Sequence, residues 1–201
     1  MSMISKAGRS RRKRLMNLPN KLTIGRVILV PFFIAAYLTK LYWVALIIFC
    51  AASITDYFDG MLARKNNLVT NFGKIMDPLA DKVLVYSALC LFIESGVIKA
   101  WMLIIILARE FAIAGMRTVA ASEGRVLAAG MSGKVKTVLQ MVAVIVFVLA
   151  LSLGYQDPAT SAGTASATVM TIGNITFYAA LVMTVYSGCE YIIKNKDIFS
   201  M

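Results

Sequence analysis

There is no histidine in this chain of 201 residues, only three cysteines and four prolines, and just ten acidic residues against twenty-one basic ones. Each shortage excludes something. Without histidine there is no imidazole-held zinc, and a general base working near neutral pH must be a carboxylate or a perturbed lysine. Cys50, Cys90 and Cys189 stand singly inside apolar stretches, with no spacing that suggests a disulfide or a metal knuckle, so they read as small packing residues. Charge itself is scarce: 15% of the residues are charged, 59% are hydrophobic and the mean hydropathy is +0.76. Soluble domains are roughly half apolar, and a soluble fold could not hide the excess.

What is abundant is long apolar runs. Six of them fall near 22–39, 41–63, 77–95, 99–117, 134–154 and 168–193, each close to the ~20 residues that cross a bilayer core as a helix. The sequence therefore predicts an all-α integral membrane protein with about six transmembrane helices. The basic run from Ser5 to Arg14 resembles the start of a signal peptide, but the apolar stretch after it is too long and lacks a small-residue cleavage site. Residues 1–21 are expected to form a basic juxtamembrane segment resting on anionic lipid, where each Lys or Arg adds about 1 kcal/mol, and residues 22–201 the six-helix membrane domain. Pro31 is expected to kink the first span. Lys and Arg cluster at the N-terminus, in the 64–76 and 117–136 connections and after Tyr191, whereas 152–168 has neither. That asymmetry predicts both termini in the cytoplasm. The net charge of +11 is then a signal of topology and lipid contact rather than of a nucleic-acid partner.

Four of the ten acidic residues converge on one place. Asp56 and Asp59 close the second span, and Asp77 and Asp81 open the third, with Pro78 expected in its first turn. Spacings of three and four put each pair on one helix face, and the short 64–76 connection makes the helices antiparallel neighbours. One ionised Asp within a span costs about 2.5–3.5 kcal/mol on insertion scales, and four would also repel one another. A divalent cation removes both problems, and an all-oxygen set selects Mg²⁺, Mn²⁺ or Ca²⁺. Gly60 and Ala63 leave room beside the acids, while Arg64 can neutralise phosphate oxygens. A cation pathway is a competing reading of the acids, but it leaves the nearby cations unexplained.

Those cations are Arg109 beside Glu110 inside the fourth span, Arg117 at its cytoplasmic end, and Lys134 and Lys136 at the start of the fifth, near Ser132. A positive-inside flank accounts for Arg125, and equally well or badly for Lys136. It does not account for Arg109, for which two readings stand: a structural pair with Glu110, or a seat for an anion.

The pattern Asp56-x2-Asp59-Gly60-x2-Ala63-Arg64-x8-Gly73-x3-Asp77-x3-Asp81 resembles the signature of the CDP-alcohol phosphotransferases at every defined position. Softer likenesses are Asn17–Thr23 with Arg26 and Pro31, Ala108–Phe111, and Gly133–Thr137 with Gln140; these are similar to the bacterial branch that makes phosphatidylglycerophosphate. The basic extension before Asn17 and the loop after Asp157 depart from the pattern, away from the site. The resemblance implies transfer of a phosphatidyl group from CDP-diacylglycerol to sn-glycerol 3-phosphate, releasing CMP, at the cytoplasmic face of the cell membrane. Other acceptors served by similar folds are inositol phosphate and serine. It implies Asp56, Asp59, Asp77 and Asp81 as ligands of Mg²⁺ or Mn²⁺, two ions in all, with Asp81 also taking the acceptor's proton. Gly60, Ala63, Arg64, Thr70, Asn20 and Thr23 would hold CDP-diacylglycerol. Arg109, Arg117, Lys134 and Lys136 would meet the acceptor phosphate. A homodimer among membrane lipids is also implied.

Overall fold

The structure is a computed structural model; it describes residues 18–65, 71–125, 127–128, 130–156 and 164–199, and side chains within 25–55 and 82–197 of those stretches. The described residues form six α-helices and no strand: α1 (Leu18–Leu38), α2 (Tyr42–Lys65), α3 (Asn71–Glu94), α4 (Ala100–Ser122), α5 (Met131–Ser152) and α6 (Ala165–Lys194), then a 3₁₀ turn at Lys196–Phe199. All six expected helices are present, with shifted ends. α3 begins six residues before the expected 77, so Pro78 stands inside the helix rather than in its first turn. There it removes one backbone N–H from the ladder. α4 runs on to Ser122, which places Arg117 within the helix and not at its end. Pro31 is likewise interior, and α1 continues through it.

Helix ends are set by local chemistry. After α4, the Arg125 N–H reaches Ala120 O at 2.9 Å and the Gly124 N–H reaches Ala121 O at 3.1 Å; after α5, Tyr155 and Gly154 bond Ala150 O and Leu151 O, both at 3.0 Å. These are Schellman closures, and they need a left-handed residue at Gly124 (φ 75°) and Gly154 (φ 87°). α1 closes the same way through Lys40 (φ 59°), which carries a Cβ into a region costing roughly 1–2 kcal/mol for an L-residue. α6 opens on Thr164, whose Oγ1 accepts the Ala167 N–H at 3.3 Å.

The chain divides into two compact units, residues 1–91 and 92–201. In the first, α1 and α2 form an antiparallel hairpin with Phe33 packed on Phe49 (ring centroids 5.7 Å apart) and Tyr37 edge-on to Tyr42 (5.3 Å). In the second, α6 packs along α5 and also meets α4. α5 and α6 are each long and apolar enough to cross a membrane; the apolar stretches 25–38 and 42–55 of α1 and α2 are shorter. Ile104, Phe111, Val182 and Ile193 are all more than 60% exposed. Water would not support so much outward apolar surface, whereas a bilayer is its natural solvent.

Candidate active site

The aspartates sit where two helices end and begin. Asp56 and Asp59 lie in the last turns of α2, and Asp77 and Asp81 in the first half of α3, all on helical backbone. The spacing thus keeps each pair on a single helix face. The side chains of Asp56, Asp59, Gly60, Ala63, Arg64, Asp77 and Asp81, those of Asn20 and Thr23, and the whole of Thr70 lie outside the described residues. Among the described residues no three acidic, cysteine or histidine side chains gather as a metal set.

The side chains expected to meet the acceptor phosphate, Arg109, Arg117, Lys134 and Lys136, are described and lie within the second unit. α4 buries a stripe made of Met102, Ile106, Ile113, Met116 and Ala120, and Arg109 and Glu110 interrupt that stripe on the same face. Glu110 Oε1 accepts from two cations at once, Arg109 Nη1 at 3.1 Å and Lys136 Nζ at 2.8 Å. Arg109 Nη2 donates to Ser187 Oγ at 3.1 Å, and Ser187 donates to Thr184 O at 3.2 Å. Two cations thus share one carboxylate oxygen where three helices meet. Lys136 is only 3% exposed. It is therefore no positive-inside flank, because a flanking lysine keeps its ammonium in water. Of the two readings of Arg109, the pairing with Glu110 is seen directly.

Nearer the ends of the helices, Ser132 Oγ donates to Glu190 Oε2 at 2.5 Å, and Lys194 Nζ reaches Glu190 Oε1. Arg117 is exposed; its Nε donates to the Tyr191 hydroxyl at 3.0 Å, with the guanidinium carbon 5.4 Å from the ring centroid. Lys134 is exposed as well, as is Arg125. Ser187, Glu190 and Tyr191 were not anticipated from sequence. Their signal is a polar stripe, Thr184, Ser187, Tyr191 and Lys194, recurring every three or four residues along an otherwise apolar helix.

Chemically, these helices offer an anion a cationic surface in which buried members are fixed by partners and exposed members can move to a ligand. Known proteins are similar to this chain over most of its length. A family model described as CDP-alcohol phosphatidyltransferase matches residues 16–186. A Bacillus subtilis (strain 168) protein named CDP-diacylglycerol–glycerol-3-phosphate 3-phosphatidyltransferase is 40% identical over 198 residues, covering 91% of this chain and 97% of its own. One of the same name from Rickettsia felis is 34% identical over 186 residues, covering 91% and 97%. A Mycobacterium tuberculosis (strain ATCC 25618 / H37Rv) protein named probable phosphatidylglycerophosphate synthase is 36% identical over 194 residues, covering 93% and 86%. With the match spanning nearly the whole membrane region, the chain belongs to the CDP-alcohol phosphatidyltransferase family.

Proposed function

We propose that this chain transfers the phosphatidyl group of CDP-diacylglycerol to sn-glycerol 3-phosphate, giving phosphatidylglycerophosphate and CMP at the cytoplasmic surface of the cell membrane. The observation that carries the acceptor is the gathering of cations at one end of α4, α5 and α6, with Arg109 and Lys136 sharing a Glu110 oxygen and Arg117 and Lys134 exposed, which suits an acceptor bearing its own phosphate better than the zwitterion serine. It also disfavours a cation pathway, whose cargo those residues would repel. In this reading all six helices span the bilayer, both termini face the cytoplasm, residues 1–21 rest on anionic lipid, and the protein works as a homodimer.

The donor set at the aspartates fits a hard divalent metal, being all carboxylate oxygen on two short helical segments. Asp56, Asp59, Asp77 and Asp81 would hold Mg²⁺ or Mn²⁺, two ions in this reading. When bound, the metal shields the diphosphate's charge and stabilises the departing CMP. The rest of the chemistry belongs to the chain's own residues. In this reading Gly60, Ala63 and Arg64 hold the cytidine diphosphate, Arg64 neutralising its oxygens, with Thr70, Asn20 and Thr23 also assigned to the donor. Arg109, Arg117, Lys134 and Lys136 orient the acceptor through its phosphate. The acceptor hydroxyl then attacks the phosphatidyl phosphorus. A new P–O bond forms, the bond to the CMP oxygen breaks, and the hydroxyl proton passes to the Asp81 carboxylate.

Purified protein given CDP-diacylglycerol and a panel of glycerol 3-phosphate, inositol phosphate and serine, with and without Mg²⁺ or Mn²⁺, tests this directly. CMP release should need both metal and glycerol 3-phosphate, and Asp81→Asn should abolish turnover while CDP-diacylglycerol still binds. Release with serine alone would reassign the acceptor, and ion flux without CMP would end the transferase reading.

A further inference from the structure

Arg109 leaves α4 and passes two helices that are bare where it passes. A Cβ added at Gly188 of α6 would stand 3.0 Å from Arg109 Cγ and 3.9 Å from its Cβ. One added at Gly133 of α5 would stand 3.0 Å from Nη2. One glycine thus faces the stem of the arginine and the other its tip. Beyond the gap, Ser187 and Glu110 hold the two terminal nitrogens, at 3.1 Å each. Glycine is a poor residue for a helix interior, so its presence at Gly188 within α6 calls for a local cause, and Gly133 in the first turn of α5 faces the same arginine. Gly115 of α4 provides the contrast, since a Cβ there would meet nothing within 4 Å.

We propose that Gly133 and Gly188 are positioning residues for the acceptor: together they form the slot that sets the direction of the Arg109 guanidinium. This rests on the reading that Arg109 serves the acceptor phosphate. A methyl group at 188 presses on the stem, and rotating the tip cannot relieve it. The side chain must swing from Cβ, and the displacement grows toward the guanidinium. A methyl at 133 displaces the tip itself, but the tip is the flexible end. Bidentate recognition of phosphate depends on the plane and direction of the fork, so small rotations cost affinity.

The competing explanation is that the glycines merely let the helices approach. In that case alanine would act whether or not an arginine occupies position 109. The experiment uses the full chain in lipid of fixed composition and measures CMP release against glycerol 3-phosphate at saturating CDP-diacylglycerol. Gly188→Ala should raise the acceptor KM about tenfold and Gly133→Ala about threefold, while kcat and the KM for CDP-diacylglycerol move by less than about twofold. Gly115→Ala should match the parent. In an Arg109→Gln background, Gly188→Ala should add no further change in acceptor KM. An equal effect of Gly188→Ala in both backgrounds overturns the slot, as does an unchanged acceptor KM in both glycine variants. Failure of the underlying reading looks different: Arg109→Gln alone would leave the acceptor KM unmoved. Thermal melting checks folding, and if Gly188→Ala does not fold, Gly133→Ala carries the same comparison.

Discussion

α5 and α6 run antiparallel, and their two ends solve the same packing problem with opposite materials. Toward Ser152 and Ala165, the buried Phe147 ring meets Phe177 (5.8 Å) and Phe92 (5.3 Å, edge-on), and Gly173 lies so close that a Cβ there would fall 2.7 Å from the ring. Toward Met131 and Lys194, glycines again face a large side chain, but it is Arg109, embedded among Glu110, Lys136 and Ser187. In lipid, helix association gains little from the hydrophobic effect and relies on close packing, which the aromatic end supplies. Charge at the other end costs free energy to bury, and intramembrane ionisable groups are kept for what they do. One end is built to hold the helices, and in the proposed reading the other holds a ligand.

The largest test of this contrast is Glu110→Ala. It leaves the partly buried Arg109 and the buried Lys136 without the oxygen they share. Removing one member of a buried ion pair costs about 3–5 kcal/mol, so thermal unfolding in matched detergent should show a pronounced loss. Replacing Lys136 with Met in the same protein should recover part of it, because one of the two like charges disappears. A loss smaller than that of any aromatic-end variant would mean that the cluster is solvated.

At the aromatic end, Gly173→Ala should cost less. Overpacking a filled site costs about 1–3 kcal/mol, and the better helix propensity of alanine returns up to ~1 kcal/mol. The measurement that sharpens the comparison is the acceptor KM of the same variant. It should equal the parent's, since nothing near Phe147 is assigned to substrate. A raised acceptor KM would show that the two ends are coupled.

Helix number and identity were legible in the apolar runs; helix ends were not. The runs mark what lies in hydrocarbon, whereas hydrogen bonding continues into polar segments such as Asn71–Met76 and Thr118–Ser122. Gly124 and Gly154 did carry the termination signal, because only a left-handed residue completes those closures. At the site, Arg109 stood out because a charge within a span demands a reason. Lys136 was ambiguous: its place in the chain suits a flank, and only tertiary packing turns it toward Glu110. Ser187 and Tyr191 left only a faint stripe, because Ser and Tyr are ordinary in membrane helices, and their meaning comes from Arg109 and Arg117 on another helix.

The smallest expected effect belongs to Tyr191, where the two materials meet. Its ring is buried at 7% exposure beside Ile113, Met116 and Ala120, while its hydroxyl accepts from Arg117 Nε at 3.0 Å. Tyr191→Phe keeps the packing and the cation–π face, and removes only the hydroxyl. A hydrogen bond of this kind contributes about 0.5–1.5 kcal/mol, with the lower figure apt for an exposed guanidinium that water can solvate instead. Unfolding temperature should therefore change little. If Arg117 meets the acceptor from the direction that Tyr191 sets, the acceptor KM should rise about two- to threefold with kcat held, by the usual conversion of a few tenths of a kcal/mol. Tyr191→Leu loses the ring as well, and should produce a larger rise together with a measurable loss of stability. If Tyr191→Phe lowers the unfolding temperature as much as Gly173→Ala while leaving acceptor dependence untouched, Arg117 and Tyr191 belong with the aromatic end as packing, and the acceptor surface ends at Lys134.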